Sequence, residues 1–519
     1  MNFKTWARIF ALVLFAALAI PVQLPAQDNQ GKKHHHYQLI DIGTFPGLSI
    51  YNRRVTSNGS AVTEFQQILN NQRILVGGAD TSLVNPYGCF NPFNQSNLCY
   101  VQHAFVWQNG KLTDLGTLPG GSASFPYFLS DNGLIAGGSE DGAFDPNIGT
   151  PEFRAVLWRN GTINDLGTLG GTSSLGTGVN DIGQVIGGAQ NAIPDQYSFF
   201  GLGTQTRAFL WQDGVMTDLG TLGGPDAFAT YINRSGQVTG PSDTSDIPNS
   251  ITGAPPQDPF LWQKGTNGNK MKDLGNLGGA QVAVNGFNSR GDVTGWMTLE
   301  GEQIYHAFLR DGEKLIDLNT SSGGLGGNYS FAQALNDSGE VVGIASLPGD
   351  QLFQAFLWQN GLMTNLGTLH GDPCSEAEGI NSLGQIVGAS QSALGGCNFY
   401  TSAFLWENGG PIVDLNDLIP PHSPLLLTGA FWINDKGEIA GGGAPNGCGD
   451  TDICGHAFLL IPCDDNHPGI EGCDYSLVDA TATAPSAEPR YVPGGTRRMP
   501  QSRRPNRSHF PSLTIGPAH

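Results

Sequence analysis

The sequence is poor in charge. Only 13% of its 519 residues are Asp, Glu, Lys or Arg, whereas it contains 74 Gly and 32 Pro. Long amphipathic helices need a charged face and tolerate few Gly or Pro residues. The composition therefore argues against a helical fold and predicts an all-β chain rich in turns.

Basic residues are particularly scarce. The chain has 25 Lys and Arg against 45 Asp and Glu, a formal charge of −20. Such a charge argues against nucleic acid as a partner, because binding to phosphates needs a basic surface. Residues 490–519 are the exception, with six Arg and no acid in a setting of Pro, Ser and Gly. We expect residues 463–519 to form a disulfide-containing segment followed by a disordered tail.

Long apolar runs are almost absent. The single example, Ile9 to Ile20, follows Lys4 and Arg8 and precedes "PVQLPAQ". This order predicts a signal peptide over residues 1–26, cleaved after Ala26. No later run approaches the roughly 20 apolar residues of a membrane-spanning helix, so we expect a secreted protein, extracellular or periplasmic, without a transmembrane segment. Residues 27–36 include "KKHHH" and are predicted to be a solvated linker or an expression tag rather than a metal site.

Cysteine is present but lacks the C-x-x-C spacing of zinc sites. Its eight copies fall into neighbouring pairs, which in an exported chain predict disulfides. The candidate pairs are Cys89/Cys99, Cys374/Cys397, Cys448/Cys454 and Cys463/Cys473. No acidic calcium-loop, phosphate-loop, dinucleotide or hydrolase motif is present either. We therefore predict no metal and no cofactor.

What the sequence does have is an internal repeat. A phrase related to "DLGT" is followed each time by one related to "VNDIGQVIGG" and then by one related to "HAFVWQNG". The third phrase is anchored by an apolar residue that recurs every 48 to 54 residues, at Phe105, Val156, Phe209, Phe260, Phe308, Phe356, Phe404 and Phe458. Eight copies fill residues 37–462, and a repeat this regular determines the fold class.

Each repeat predicts four short strands. The "NxxG" phrase suits a tight turn between the first two strands, and Asn-Gly or Asp-Gly joins the third to the fourth as a hairpin. Four antiparallel strands in about fifty residues are typical of a β-propeller blade. A lone fourth strand at Tyr37 to Gly43 and a lone third strand at His456 to Pro462 would pair to close the ring. We predict eight blades; a seven-bladed ring or a β-solenoid is the alternative.

Loop lengths predict the binding face. Turns between strands one and two and between three and four are short, whereas the other connections vary and would emerge on the opposite face. We call this second side the variable face. Its first loop, over residues 80–102, carries aromatic side chains between two cysteines, and these are the predicted binding residues: Tyr87, Phe90, Phe93 and Tyr100. Packing onto the blade below is an equally good interpretation of these aromatics.

His103 and Asp114 resemble a catalytic pair until the repeats are compared. The eight units place His103, Arg154, Arg207, Asp258, His306, Gln354, Ser402 and His456 at the first position. A general base cannot be replaced so freely. At the second position Asn365 substitutes for Asp, and Asn cannot act as a base but can brace a turn. We therefore predict no catalytic residue.

The phrases "HAFVWQNGKLTDLGTLPGG", "RAFLWQDGVMTDLGTLGG" and "QAFLWQNGLMTNLGTLHG" resemble the HAF family of extracellular repeat proteins over residues 37–462. The resemblance implies a bacterial exported repeat protein and carries over no functional residues. We expect a monomeric, non-enzymatic module that binds a polysaccharide or a protein on the variable face. A secreted propeller hydrolase or lyase and a structural envelope protein are the alternatives.

Overall fold

The computed structural model describes residues 33–479, except 44, 46–49, 52–55, 58–59, 62–66, 85–99, 146–148, 200–202, 321–322, 393–396, 398–399 and 449–454. The predicted signal peptide and the Arg-rich segment lie outside the described residues. The described chain is nearly all strand, as the composition predicted.

Thirty-two of its strands form eight antiparallel four-stranded sheets, which are the blades of the ring. Blade 1 consists of β3 (Ile50–Tyr51), β6 (Leu75–Val84), β7 (Tyr100–Gln108) and β8 (Lys111–Asp114). Blade 2 consists of β9 (Ser124–Leu129), β10 (Ile135–Asp145), β11 (Thr150–Arg159) and β12 (Thr162–Asp165), and blade 3 of β13 (Ser174–Val179), β14 (Val185–Pro194), β15 (Thr204–Gln212) and β16 (Val215–Asp218). Blade 4 consists of β17 (Tyr231–Ile232), β18 (Gln237–Asp243), β19 (Gln257–Gln263) and β20 (Lys272–Asp273).

Blades 5 to 7 follow in the same order, and blade 8 combines both ends of the chain. Blade 5 consists of β21 (Gly278–Phe287), β22 (Val293–Leu299), β23 (Tyr305–Asp311) and β24 (Lys314–Asp317). Blade 6 consists of β25 (Ser330–Leu335), β26 (Val341–Ser346), β27 (Phe353–Gln359) and β28 (Leu362–Gly367), and blade 7 of β29 (Cys374–Ile380), β30 (Ile386–Gln391), β31 (Tyr400–Trp406) and β32 (Val413–Asp414). Blade 8 consists of β33 (Leu425–Ile433), β34 (Ile439–Pro445), β35 (His456–Pro462) and β2 (Tyr37–Asp41). Outside the blades are β1 (Lys33–His35), β4 (Thr56–Ser57), β5 (Ser60–Ala61), β36 (Leu477–Asp479) and two 3-10 helices, Asn267–Asn269 and Leu415–Asp417.

The predicted eight-bladed propeller is confirmed. First strands of successive blades contact one another, so they line the centre of the ring, and each fourth strand lies outermost. The eight anchor residues of the repeat are all completely buried between neighbouring strands. Asn109 and Gly110 both have positive φ, as do Asn160 and Gly161, which is the turn that Asn-Gly favours in a hairpin.

The ring closes through its own ends, as predicted. β2 pairs with β35 in antiparallel register from Tyr37 opposite Pro462 to Asp41 opposite Phe458. The N-terminal strand thus supplies the fourth strand of a blade whose other three strands are C-terminal. Closure of this kind covers the edge of β35 that would otherwise be unpaired, so the blade at the chain ends is complete.

The predicted linker is wrong at its C-terminal end. Lys33–His35 forms β1, which pairs with β36 beyond the propeller. His34 is only 1% exposed, and its Nδ1 lies 2.8 Å from Oε1 of Glu407 in blade 7. Three adjacent histidines gave no sign of this contact, because both partners are hundreds of residues away in the sequence. The predicted Cys463–Cys473 disulfide is present in the segment that connects β35 to β36. We call the β1–β36 pair together with this disulfide the terminal clasp.

Asparagines of the "NxxG" phrase link the blades. Asn381 Nδ2 donates to the backbone carbonyl of Asn434 at 3.0 Å, and its Oδ1 accepts the N–H groups of Leu383 and Gln385 in its own turn. The same donation from one blade to the next runs from Asn180 to Asn233, Asn288, Asn336, Asn381, Asn434 and Asn70. Blade 2 has Ser130 at this position; it receives the bond from Asn70, while Asn132 bonds the next blade at Asp181. These asparagines form a hydrogen-bonded ring around the centre.

Replacing one amide of this ring should destabilise the whole propeller. In Asn381→Asp a carboxylate oxygen would face the Asn434 carbonyl and Gln385 Oε1, which Nδ2 now bonds. We expect the free energy of unfolding to fall by about 2–4 kcal/mol, since one buried and one partly buried acceptor lose their donor. Denaturant unfolding at neutral pH measures this.

The matched control is Asn365→Asp, the same substitution at an exposed position where the other seven repeats have Asp. Gln354 can rotate its amide to donate to the new carboxylate, so little change is expected. Equal losses in the two variants would refute the role assigned to the ring.

Candidate functional site

The His–Asp pairs of the outer strands are structural. His103 Nδ1 lies 2.9 Å from Asp114 Oδ2, and its Nε2 lies 3.0 Å from the carbonyl oxygen of Ser122. Both imidazole nitrogens of His103 thus lie next to an acceptor, an arrangement that suits the imidazole with an N–H on each nitrogen. The hydrogen bond to Asp114 raises the pKa of His103 above its usual value. Both ring nitrogens therefore face acceptors of the protein itself, and neither is directed at a substrate.

Other blades make the same contact with different side chains. His306 pairs with Asp317 and His456 with Asp41, whereas Arg207 replaces the histidine opposite Asp218. Where the acid becomes Asn365, the partner becomes Gln354, and Asn365 Nδ2 donates to the side-chain oxygen Oε1 of Gln354 at 2.6 Å. In this repeat both positions change together and the contact is kept, which supports a structural role for the pair in joining strands three and four.

The acid of each pair also braces the turn after its strand. Asp114 Oδ1 accepts the N–H of Gly116 at 2.7 Å. In each of the other seven repeats, Oδ1 of the corresponding Asp or Asn likewise accepts the backbone N–H of the residue two positions later. This is the Asx-turn role expected from the Asp-to-Asn exchange at position 365.

The variable face carries a disulfide as predicted. Cys374–Cys397 joins the start of β29 to the loop after β30. Cys448 is described, but its predicted partner Cys454, both Cys89 and Cys99, and the predicted binding residues Tyr87, Phe90 and Phe93 lie outside the described residues. Tyr100 begins β7 opposite Val84, which places it where the first loop rejoins the blade.

Three consecutive blades extend this face. The hairpins β6–β7, β10–β11 and β14–β15 continue past an irregularity in register at Asp80, Glu140 and Gln190. Beyond it, each hairpin exposes a large apolar side chain: Leu83 (59% exposed), Phe144 (46%) and Ile193 (54%). We call these three residues the apolar crest. Exposed apolar groups at matching positions of neighbouring hairpins are typical of an interaction surface.

Described aromatics on the variable side mostly brace blades. Tyr305 at the start of a third strand packs against Phe331 of the next blade, with ring centroids 5.9 Å apart. Tyr400 and Phe431 repeat this arrangement at 6.0 Å. These rings support the packing interpretation of the aromatic residues.

Three carboxylates that sequence analysis did not single out converge between blades 3 and 4. Asp226 accepts the N–H groups of Phe199 (2.5 Å) and Thr206 (2.8 Å), and its own N–H donates to Asp243 at 3.3 Å. Burial is the main cause that raises the pKa of Asp226 to about 8; the charges of Asp243 and Asp195 act in the same direction, and the N–H bonds from Thr206 and Phe199 oppose them. Burial also raises the pKa of Asp243 to about 7. The sequence signal was Asp226 itself, which stands where the adjacent repeats have Ser173 and Gln281.

These acids are not placed for catalysis. Asp226 has no exposed surface and Asp243 is 2% exposed, so a substrate cannot contact either carboxyl in this conformation. Over the described ranges, no three His, Cys, Asp or Glu side chains are grouped so that they could hold a metal ion. The same part of the chain contains no helix long and apolar enough to cross a membrane.

Comparison with known proteins gives structural likeness only. No family model matches the chain, and no curated protein matches its sequence. An acylaminoacyl peptidase from Pyrococcus horikoshii is 11% identical with a TM-score of 0.36, covering 72% of this chain and 56% of the peptidase. The β-propeller domain of the Trilobed protease from Pyrococcus furiosus is 11% identical with a TM-score of 0.36, covering 72% of this chain and 100% of that domain. This chain thus spans little more than half of the acylaminoacyl peptidase, and likeness at this level carries no argument about activity.

The acid cluster should make stability depend on pH. Because the pKa of folded Asp226 is about 8, above that of an unfolded Asp, its contribution is complete below about pH 4 and is lost as pH rises toward 8. In Asp226→Asn this loss disappears, so the stability of wild type relative to the variant should fall by up to roughly 1 kcal/mol per pH unit over that window. Urea unfolding from pH 5 to 8 measures it.

Asp213→Asn is the matched control, because Asp213 is an exposed hairpin-turn residue where other repeats have Asn. Its stability curve should run parallel to wild type. A parallel curve for Asp226→Asn as well would contradict the assigned pKa.

Proposed function

We propose that the protein is an exported propeller that binds a macromolecular partner on its variable face. The observation that carries the proposal is the apolar crest, since Leu83, Phe144 and Ile193 keep about half of their surface exposed in three neighbouring hairpins. A side chain of this kind gains free energy when a partner covers it. Membership of the HAF family remains part of this proposal.

A protein partner suits the crest better than a polysaccharide. Sugar rings stack on exposed aromatic faces, whereas two of the three crest side chains are aliphatic. Blade 4 continues the apolar character in its second-to-third loop, where Ile247 is 72% and Ile251 60% exposed. Apolar contacts surrounded by polar groups are the usual centre of a protein–protein interface.

Export is supported by the two disulfides among the described residues, Cys374–Cys397 and Cys463–Cys473. Disulfides persist in oxidising compartments such as the periplasm and the extracellular space. A hydrolase or lyase would instead need carboxylates that reach a substrate, and those of Asp226 and Asp243 are buried.

Removing the crest should abolish partner binding. In the triple variant Leu83→Ser/Phe144→Ser/Ile193→Ser we expect the amount of bound partner to fall about tenfold or more below that of wild type. The reason is that buried apolar anchors dominate interface affinity. The measurement is a quantitative pull-down from an envelope extract of the source bacterium, together with a glycan array.

Val215→Ser/Leu362→Ser is the control, because these residues are 64% and 60% exposed at third-to-fourth turns on the opposite face. It should bind like wild type. Partner retention that survives loss of the crest, or a glycan signal in place of a protein partner, would refute the proposed surface.

A further inference from the structure

Blade 7 carries a buried acid where its siblings carry apolar side chains. Glu376 lies five residues before the ring asparagine Asn381 and is 7% exposed. The residues at the same distance in blades 2 to 6 are Phe125, Leu175, Phe228, Ala283 and Phe331. A carboxylate in an apolar position costs stability unless other groups satisfy it. The presence of Glu376 in place of an apolar side chain therefore indicates a role other than packing.

Two glutamines hold this carboxylate. Gln333 Nε2 of blade 6 donates to Glu376 Oε1 at 2.9 Å, and Gln391 Nε2 of blade 7 donates to Oε2 at 3.3 Å. A carboxylate only accepts hydrogen bonds, so both amides must turn their nitrogens toward it. The Oε1 atoms of Gln333 and Gln391 are then left buried without a hydrogen-bond partner, in side chains that are 9% and 4% exposed.

Pro373 explains why Gln391 is free to turn. Eight residues before the ring position, Ser122 and Asn328 donate their N–H groups to Glu140 and Asp350 on the variable side of their own blades. Thr172 makes the corresponding contact through its hydroxyl with Gln190 Oε1. Blade 7 has Pro373 at this distance, which offers neither an N–H nor a hydroxyl. Gln391 consequently lacks one of the donors that its siblings have, and it contacts Glu376.

Gln333, Glu376 and Gln391 together form a site that offers only hydrogen-bond acceptors to a ligand. Two amide oxygens lack a donor, and the carboxylate beside them is negative. A primary ammonium group matches this set, because it carries a positive charge and three N–H donors in different directions. A hard divalent ion needs six or more oxygens, and in the described part of the chain no three acidic, His or Cys side chains form such a group.

A second carboxylate follows in the same strand. Glu378 is half-buried two residues further along β29 and accepts the Tyr400 hydroxyl at 3.1 Å. It adds negative potential where an amine would approach. We propose that Gln333, Glu376 and Gln391 bind a small primary amine in the wall between blades 6 and 7. This site is separate from the apolar crest, and its test does not depend on the crest.

The test compares amines of equal charge on the purified protein. Methylammonium should bind in calorimetry and raise the thermal unfolding midpoint, whereas tetramethylammonium, which has no N–H, and sodium at equal ionic strength should not. Gln333→Met and Gln391→Met should each weaken methylammonium binding at least about tenfold, because each removes one acceptor of a charged donor.

Gln190→Met is the matched control, since Gln190 occupies the corresponding place in blade 3 and its Oε1 is already bonded. It should keep the methylammonium response even if its stability falls. Glu376→Leu, which restores the apolar character of the sibling repeats, should fold and show no response.

The proposal is overturned if wild type does not distinguish methylammonium from tetramethylammonium, which would mean that the amide oxygens bind only water. It is equally overturned if the response survives in Glu376→Leu or Gln391→Met.

Discussion

The fold depends on a hydrogen bond between neighbouring blades. Each ring asparagine, such as Asn288, uses its Oδ1 to close its own turn and its Nδ2 to reach the next blade's carbonyl, here that of Asn336. Only a side chain with both an acceptor and a donor can serve the two purposes. A buried amide with every polar atom satisfied fixes the orientation of its blade. With one side of the ring fixed in this way, loops on the other side can vary in length and sequence.

A closed ring must also hold its ends. β2 completes blade 8, and the terminal clasp strengthens this junction from outside the blades. Arg73 of blade 1 and His467 of the C-terminal segment both lie against Glu438 of blade 8, a carboxylate that also accepts from the ring amide of Asn434. Contacts from three parts of the chain therefore meet where the ring would otherwise open.

Comparison among the repeats separates structural residues from candidates for function. His103 and Asp114 are explained by siblings that keep the contact with other side chains, as Arg207 does with Asp218 and Gln354 with Asn365. Asp226 and Glu376 have no such siblings, and both are buried acids. Repetition accounts for the first pair because the same contact recurs, whereas a buried acid that other repeats replace by uncharged side chains needs a local explanation.

Part of the candidate site could not be predicted because its contacts are distant in sequence. Gln333 and Glu376 are 43 residues apart and meet only because successive blades lie side by side. The apolar crest likewise needs three hairpins to project from one face. Single-residue patterns carry no information on which side chains face each other across blades.

The sequence alone determined the all-β class, the number of blades, the hairpin turns and the strand that closes the ring. It could do so because each is encoded locally, by Asn-Gly turns, by apolar anchors such as Phe105 and by a repeat that shows itself eight times. Tertiary structure decided the asparagine ring, the burial of His34 against Glu407 and the placement of Gln391 on Glu376. These are contacts between blades or between chain ends, and their free energy depends on distances that only the closed ring sets.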